Sequence, residues 1–268
     1  MNRQLIITFG MAALTLAACK KDETQGPSTT GQSFTSALDH SLAESMFDDV
    51  LRQSDQAADD NGLRDYMDGC NATITIDTVA MPHTMLIDFG PENCTGTDGH
   101  ERRGSILVSF TGPYRATGTV ITITPQDYYL DDHKLEGSKT VTNLGPGSDG
   151  HIKFSISVDG SVTAPDNSWT ATHSSERTRT WVAGANTPTP WDDEYLITGT
   201  GSGINRHGLA YSATITQPLH IKVGCWQPVS GRVDITPEGL PTRHVDYGNG
   251  ECDGSFTVTV NGITITVG

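Results

Sequence analysis

With 268 residues, only 18% of them charged, and 29 glycines, the chain is too charge-poor and glycine-rich for a helical bundle or coiled coil. That balance suits many short strands joined by tight turns. A formal charge of −15 argues against a nucleic-acid partner, and no stretch beyond the N-terminal one approaches the ~20 apolar residues of a membrane-spanning helix.

Arg3 and the apolar run Leu5 to Leu16 have the layout of a secretory signal. The run ends in Leu16-Ala17-Ala18-Cys19, which resembles the lipobox of bacterial lipoproteins. That resemblance implies removal of residues 1–18 as a signal peptide and acylation of Cys19, a palmitate-type membrane anchor. Residues 19–35 follow as a lipidated tether, rich from Thr24 onward in Gly, Pro, Ser, Thr and Gln. Leu38, Leu42, Met46, Val50 and Leu51 then recur at helical spacing and predict an amphipathic helix. Ser36 is its expected N-cap, with Asp39 in the first turn. The run Asp59-Asp60-Asn61-Gly62 closes it, so the segment spans 36–62. That run lacks the spacing of a calcium loop.

Residues 63–268 form the predicted β domain, with a period of two from Cys70 onward. The clearest case is the last: Phe256, Val258 and Val260, then Asn261-Gly262, then Ile263, Ile265 and Val267. Asn-Gly favours a two-residue type I′ turn, which pairs Val260 with Ile263, Val258 with Ile265 and Phe256 with Val267. The same alternation occurs at Ile106-Val108-Phe110, Ile121-Ile123, Ile152-Phe154-Ile156-Val158, Tyr211-Ala213-Ile215 and Leu219-Ile221-Val223. No helical crossover separates these strands, so parallel architecture is excluded. The expected fold is mainly β: an antiparallel meander of about ten to fourteen strands, forming a sandwich or a large, curved, partly closed sheet.

Two segments resemble each other. Cys70, a strand, Ile87-Asp88-Phe89-Gly90, Cys94 and Gly104-Ser105 correspond to Cys225, a strand, Val245-Asp246-Tyr247-Gly248, Cys252 and Gly254-Ser255. With Cys19 assigned to lipid, four cysteines remain and allow three connectivities. The matched units favour Cys70–Cys94 and Cys225–Cys252, each closing a loop of about 25 residues and contributing roughly 3 kcal/mol. Tyr129-Leu130 with Gly137 and Asn143 recurs more weakly as Tyr195-Leu196 with Gly199 and Asn205.

Chemistry-bearing motifs are scarce. No nucleophile elbow, zinc-protease helix, phosphate loop or dinucleotide fingerprint occurs, and no catalytic, cofactor or metal residue is assigned. Gly199, Gly201 and Gly203 alternate within a strand pattern and are expected at bends or bulges. Nine histidines stand singly and are expected at the surface. Asp192-Asp193-Glu194 supplies carboxylates for a hydrolase, which would need two of them converging in a cleft. Trp169, Trp181 and Trp191 could stack on sugar rings if they share one exposed face.

The lipobox, the two cysteine units, the Gly104-Ser105-Ile106-Leu107-Val108 strand and the Leu135-Glu136-Gly137-Ser138-Lys139-Thr140 stretch together resemble lipoproteins of the Bacteroidota. The resemblance covers nearly the whole chain. It implies an envelope location and implies no activity. In such lipoproteins a Lys followed by two acidic residues behind the acylated Cys resembles a signal for export to the outer face of the outer membrane; Lys21, Asp22 and Glu23 match it. The expectation is therefore a non-catalytic, outward-facing structural or adhesive lipoprotein with the membrane as partner through its acyl chains. A glycan- or ligand-binding accessory protein, with an extracellular glycan or protein partner, is the alternative, and a hydrolase the third.

Overall fold

The computed structural model describes residues 33–58, 70, 72–187 and 189–268. Cys19, the Lys21-Asp22-Glu23 motif and the Asp59–Gly62 stop lie outside the described residues. One helix, α1 (Thr35–Ala58), precedes thirteen strands. They begin with β1 (Thr73–Asp77), β2 (His83–Thr95), β3 (Glu101–Phe110) and β4 (Val120–Leu130). The middle is built from β5 (His133–Pro146), β6 (Ile152–Thr163), β7 (Thr170–Ala183), β8 (Glu194–Ile204) and β9 (Ala210–Lys222). The chain closes with β10 (Ser230–Pro237), β11 (Arg243–Asn249), β12 (Phe256–Val260) and β13 (Ile263–Val267).

Each strand pairs antiparallel with the next, giving one 13-stranded sheet in chain order. It is a single curved sheet, not a sandwich, and it is not closed: β1 and β13 are its two edges. The terminal hairpin has the predicted register, Val260 opposite Ile263 and Phe256 opposite Val267. Asn261 and Gly262 both have positive φ, as a type I′ turn requires. Asp131 and Asp132 repeat that geometry between β4 and β5, with Leu130 opposite His133.

The cysteine units sit at the two ends of the meander. Both bonds form as the matched units imply, Cys70–Cys94 with Cα atoms 5.1 Å apart and Cys225–Cys252 with Cα atoms 5.5 Å apart. The likeness extends to hydrogen bonds. Asp88 Oδ1 accepts from Gly90 N, and Asp246 Oδ1 from Gly248 N, each at 2.9 Å. Both glycines have positive φ, and the intervening Phe89 and Tyr247 turn into the core.

The helix differs from expectation in two respects. It begins at Thr35, whose N–H donates to Ser33 Oγ, and Phe34 O accepts from Ala37 and Leu38. Ser36 and Asp39 are thereby freed from capping: Ser36 Oγ accepts from Asn205, and Asp39 accepts from the main-chain N and Nε of Arg206. More importantly, the helix has no solvated face. Only Asp48 is exposed along its length, because the sheet curls around it. Its apolar residues Ala43, Met46, Phe47, Val50 and Leu51 pack with strands β2–β6, while Ala37 joins a second cluster formed by β9–β12. Between those two clusters, β7 and β8 meet the polar side of the helix.

Candidate functional site

The inward positions of β7 are Ala171, His173, Ser175, Arg177 and Arg179, while Thr172, Ser174 and Glu176 face out. A central strand paired on both sides has to turn one of its faces to the helix, and here that face is polar. Opposite it, β8 presents Gly199, Gly201 and Gly203. A Cβ at Gly199 or Gly203 would sit 2.1 Å from the Glu176 or Thr172 carbonyl of β7, and one at Gly201 3.2 Å from Arg177 Nη2, so the bare stripe lets β8 lie close against β7. The expectation of bulge or bend glycines was too general: Gly199 has positive φ, but Gly201 and Gly203 serve by absence of bulk.

Beside the Asp39–Arg206 and Asp55–Arg179 pairs, three charged clusters meet the helix. In the first, Asp49 accepts from Arg102 Nε (3.1 Å) and Nη2 (2.6 Å), Arg52 (2.6 Å) and Tyr128 OH (2.7 Å). Burial alone would raise the Asp49 carboxyl. Arg102 and Arg52, with the hydrogen bonds from Arg102 and Tyr128, overcome this and hold it well below the usual carboxylate range. Asp98, on the solvent side of Arg102, is lowered as well. The second cluster is Lys139, whose Nζ donates to Phe47 O (3.1 Å) and Asp48 (2.6 Å). The third joins His40 and Glu44, one turn apart on α1, to His173 and Arg177 of β7.

In that third cluster Arg177 Nη2 donates to Glu44 Oε1. His173 Nε2 lies 3.3 Å and His40 Nε2 3.7 Å from the same oxygen, neither aligned as a hydrogen bond. Burial alone would raise the Glu44 carboxyl, but Arg177 and His173 hold it well below its ordinary range. Burial also pushes His40 down to about 3, so its imidazole is neutral. The two rings lie 5.1 Å apart, with Tyr211 edge-on to His40. Both histidines are 1% exposed. This corrects the expectation that single histidines lie at the surface.

The clusters border a cavity between α1 and β6–β9, with ≈ 140 Å³ open to the centres of water molecules. Six cations and five carboxylates line it, in a chain with 17 of the former and 32 acids. The loop 223–229 roofs it. Trp226 in this loop stacks on His100 at 3.7 Å, Arg52 lies 5.0 Å from its ring, and Gln227 donates to Ser45. The bond to Cys252 ties the loop down. Several buried groups that line the cavity lack a hydrogen-bond partner: His40 Nδ1, Gln56 Oε1, Ser175 Oγ, Arg177 Nη1, Arg179 Nε and Asp193 Oδ1; neither nitrogen of His173, on the same strand as Ser175, has one.

The predicted aromatics do not gather there. Trp169 and Trp181 are half-buried at opposite ends of β7, packed against the core, and Trp191 alone is exposed. Trp169 lies under Arg206, and Trp181 beside Phe154 and Tyr195. Asp192, Asp193 and Glu194 diverge: Asp192 accepts from Thr187, buried Asp193 from Tyr195 OH, and Glu194 faces His220 at 2.7 Å. The residues missed from sequence were His40, Glu44, Ser175, Arg177 and Arg179. The available signal was the period-two row of polar residues in β7 flanked by an equally polar outer row.

Acid should unlock the Asp49 cluster. A depressed carboxylate stabilises the fold above its unfolded-state pKa, ~3.9 for Asp, and that stability is lost as pH falls through the folded value. Urea melts should therefore hold steady down to about pH 5 and weaken below about pH 4. Asp49→Asn should flatten that acid limb; parallel losses in both proteins would place the sensitivity elsewhere.

Compared with known protein families, curated proteins and solved structures, the chain shows no match.

Proposed function

We propose that this protein is an envelope lipoprotein, anchored through Cys19 and facing outward, whose β body binds a small anionic ligand in the cavity beside β7. One observation carries the binding reading: consecutive inward positions of β7 present Ser175 Oγ, Arg177 Nη1 and Arg179 Nε to the cavity wall, buried and without partners. Buried guanidinium donors are costly to leave unpaired, and a carboxylate, phosphate or sulfate would satisfy them. Four carboxylates of the lining are held by a cation or hydroxyl, Glu44 by Arg177, Asp48 by Lys139, Asp49 by Arg102 and Asp55 by Tyr114, while the fifth, Asp193, accepts from Tyr195 through one oxygen and is raised by burial. A structural or adhesive role is the second reading, supported by the uncovered sheet edges, where Ile76 and Ile263 stand exposed.

Two measurements test the proposal. Thermal melts of the full chain with a panel of sugar phosphates, uronates and sulfated sugars should show stabilisation by at least one anion. Arg179→Gln should lose that response, whereas Arg232→Gln at the exposed surface should keep it. No response to any anion returns the protein to the structural reading. Proteinase K added to intact cells should digest the body; protection until the outer membrane is opened would defeat the outward orientation.

A further inference from the structure

We propose that His40, Glu44 and His173 form a binding site for one divalent transition-metal ion of the zinc class, built between the helix and β7. A tetrahedral ion with ligands at ~2.0–2.1 Å holds its donor atoms about 3.3–3.4 Å apart. Glu44 Oε1 lies 3.3 Å from His173 Nε2 and 3.7 Å from His40 Nε2, and the three donor atoms all fall within 4.8 Å of one another. Bringing all three onto one ion would require the His40 and Glu44 side chains to rotate inward.

Geometry alone would not suffice, because buried ion pairs also cluster. The second observation is the unspent bonding capacity. His173 is 1% exposed, its Nδ1 has no hydrogen-bond partner, and its Nε2 meets only Glu44 Oε1, 3.3 Å away and not aligned as a hydrogen bond. His40 is equally buried, and its Nδ1 is also unpartnered. Two imidazoles and a carboxylate, two of them at i and i+4 on one helical face, are a donor set suited to zinc or its neighbours. Arg177 shares Oε1 with the two histidines, so an ion on that oxygen would require the guanidinium to shift to Oε2 of Glu44. Arg177 then acts as an outer partner that orients the carboxylate. His40 and Glu44 both line the cavity, so the site adjoins it.

This inference does not rest on the anion reading, and the experiment separates them. Full-length protein in detergent, stripped with chelator, is titrated with Zn2+ by calorimetry and with Co2+ by visible absorption. One equivalent of zinc should bind, and cobalt should show the intense bands of a tetrahedral site. His173→Gln and His40→Gln, checked for folding by circular dichroism, should weaken zinc binding by more than about 100-fold, the upper range for losing a merely outer partner. Where a histidine variant fails to fold, Glu44→Gln supplies the same test with shape retained. Arg179→Gln, directed at the anion, should leave zinc uptake intact. Absence of stoichiometric uptake, or undiminished uptake by folded His173→Gln, overturns the site.

Discussion

Replacing Arg102 with Leu should cost about 3–5 kcal/mol of folding stability, the range for leaving one member of a buried pair uncompensated. The side chain of Asp49 is 0% exposed and that of Arg102 2%, and two of the four hydrogen bonds to Asp49 come from Arg102. Without Arg102 the carboxylate keeps only Arg52 and Tyr128. The cost comes from the stranded charge rather than from the pair's own worth. The double variant Asp49→Leu/Arg102→Leu should therefore recover most of the loss, since apolar replacements of buried pairs are often neutral. Urea denaturation of the four corners of this cycle gives the coupling directly. A loss below about 1 kcal/mol in the single variant would mean that water from the adjoining cavity solvates Asp49.

The sheet was legible because its strands obey one period. Wherever two neighbouring strands both bury Ile, Val or Phe, as in β3, β4, β6 and β12, alternation gave the inward face correctly. The I′ turn at Asn261-Gly262 and the matched cysteine units are local chemistry, and both are present as expected. Closure versus sandwich was not legible, since it depends on how far the sheet curls. That in turn depends on where glycines let strands approach: a Cβ at Gly137 would sit 2.2 Å from Asp159 O. The site was hidden for a related reason. Amphipathic spacing assigns Asp39, Glu44, Asp49 and Arg52 to solvent, and only the wrapping of the sheet reverses this. The polar row of β7 and the polar side of α1 each look solvated alone; they are buried because they face each other.

That wrapping makes a second strong prediction, at the point where the helix is seated. Phe47 is 1% exposed and points at a cross-strand glycine pair, Gly137 opposite Gly160. A Cβ on Gly160 would stand 2.5 Å from Phe47 Cζ and 2.2 Å from Glu136 O, so the ring occupies the space the glycine leaves. The imidazole of His173 also stacks on the ring, 6.2 Å away. Phe47→Ala should cost about 3–5 kcal/mol, because the cavity it leaves is floored by backbone that cannot collapse into it. Gly160→Ala should cost about 1–3 kcal/mol by the opposite route, overpacking. The two defects should not cancel, since the new methyl group meets the Glu136 carbonyl whether or not the ring is present. Denaturant melts of both single variants and the double variant check this: a double variant more stable than Phe47→Ala would show that the ring alone sets the spacing between helix and sheet. A double variant less stable than either single one places the constraint in the glycine pair, where the sheet bends around the helix.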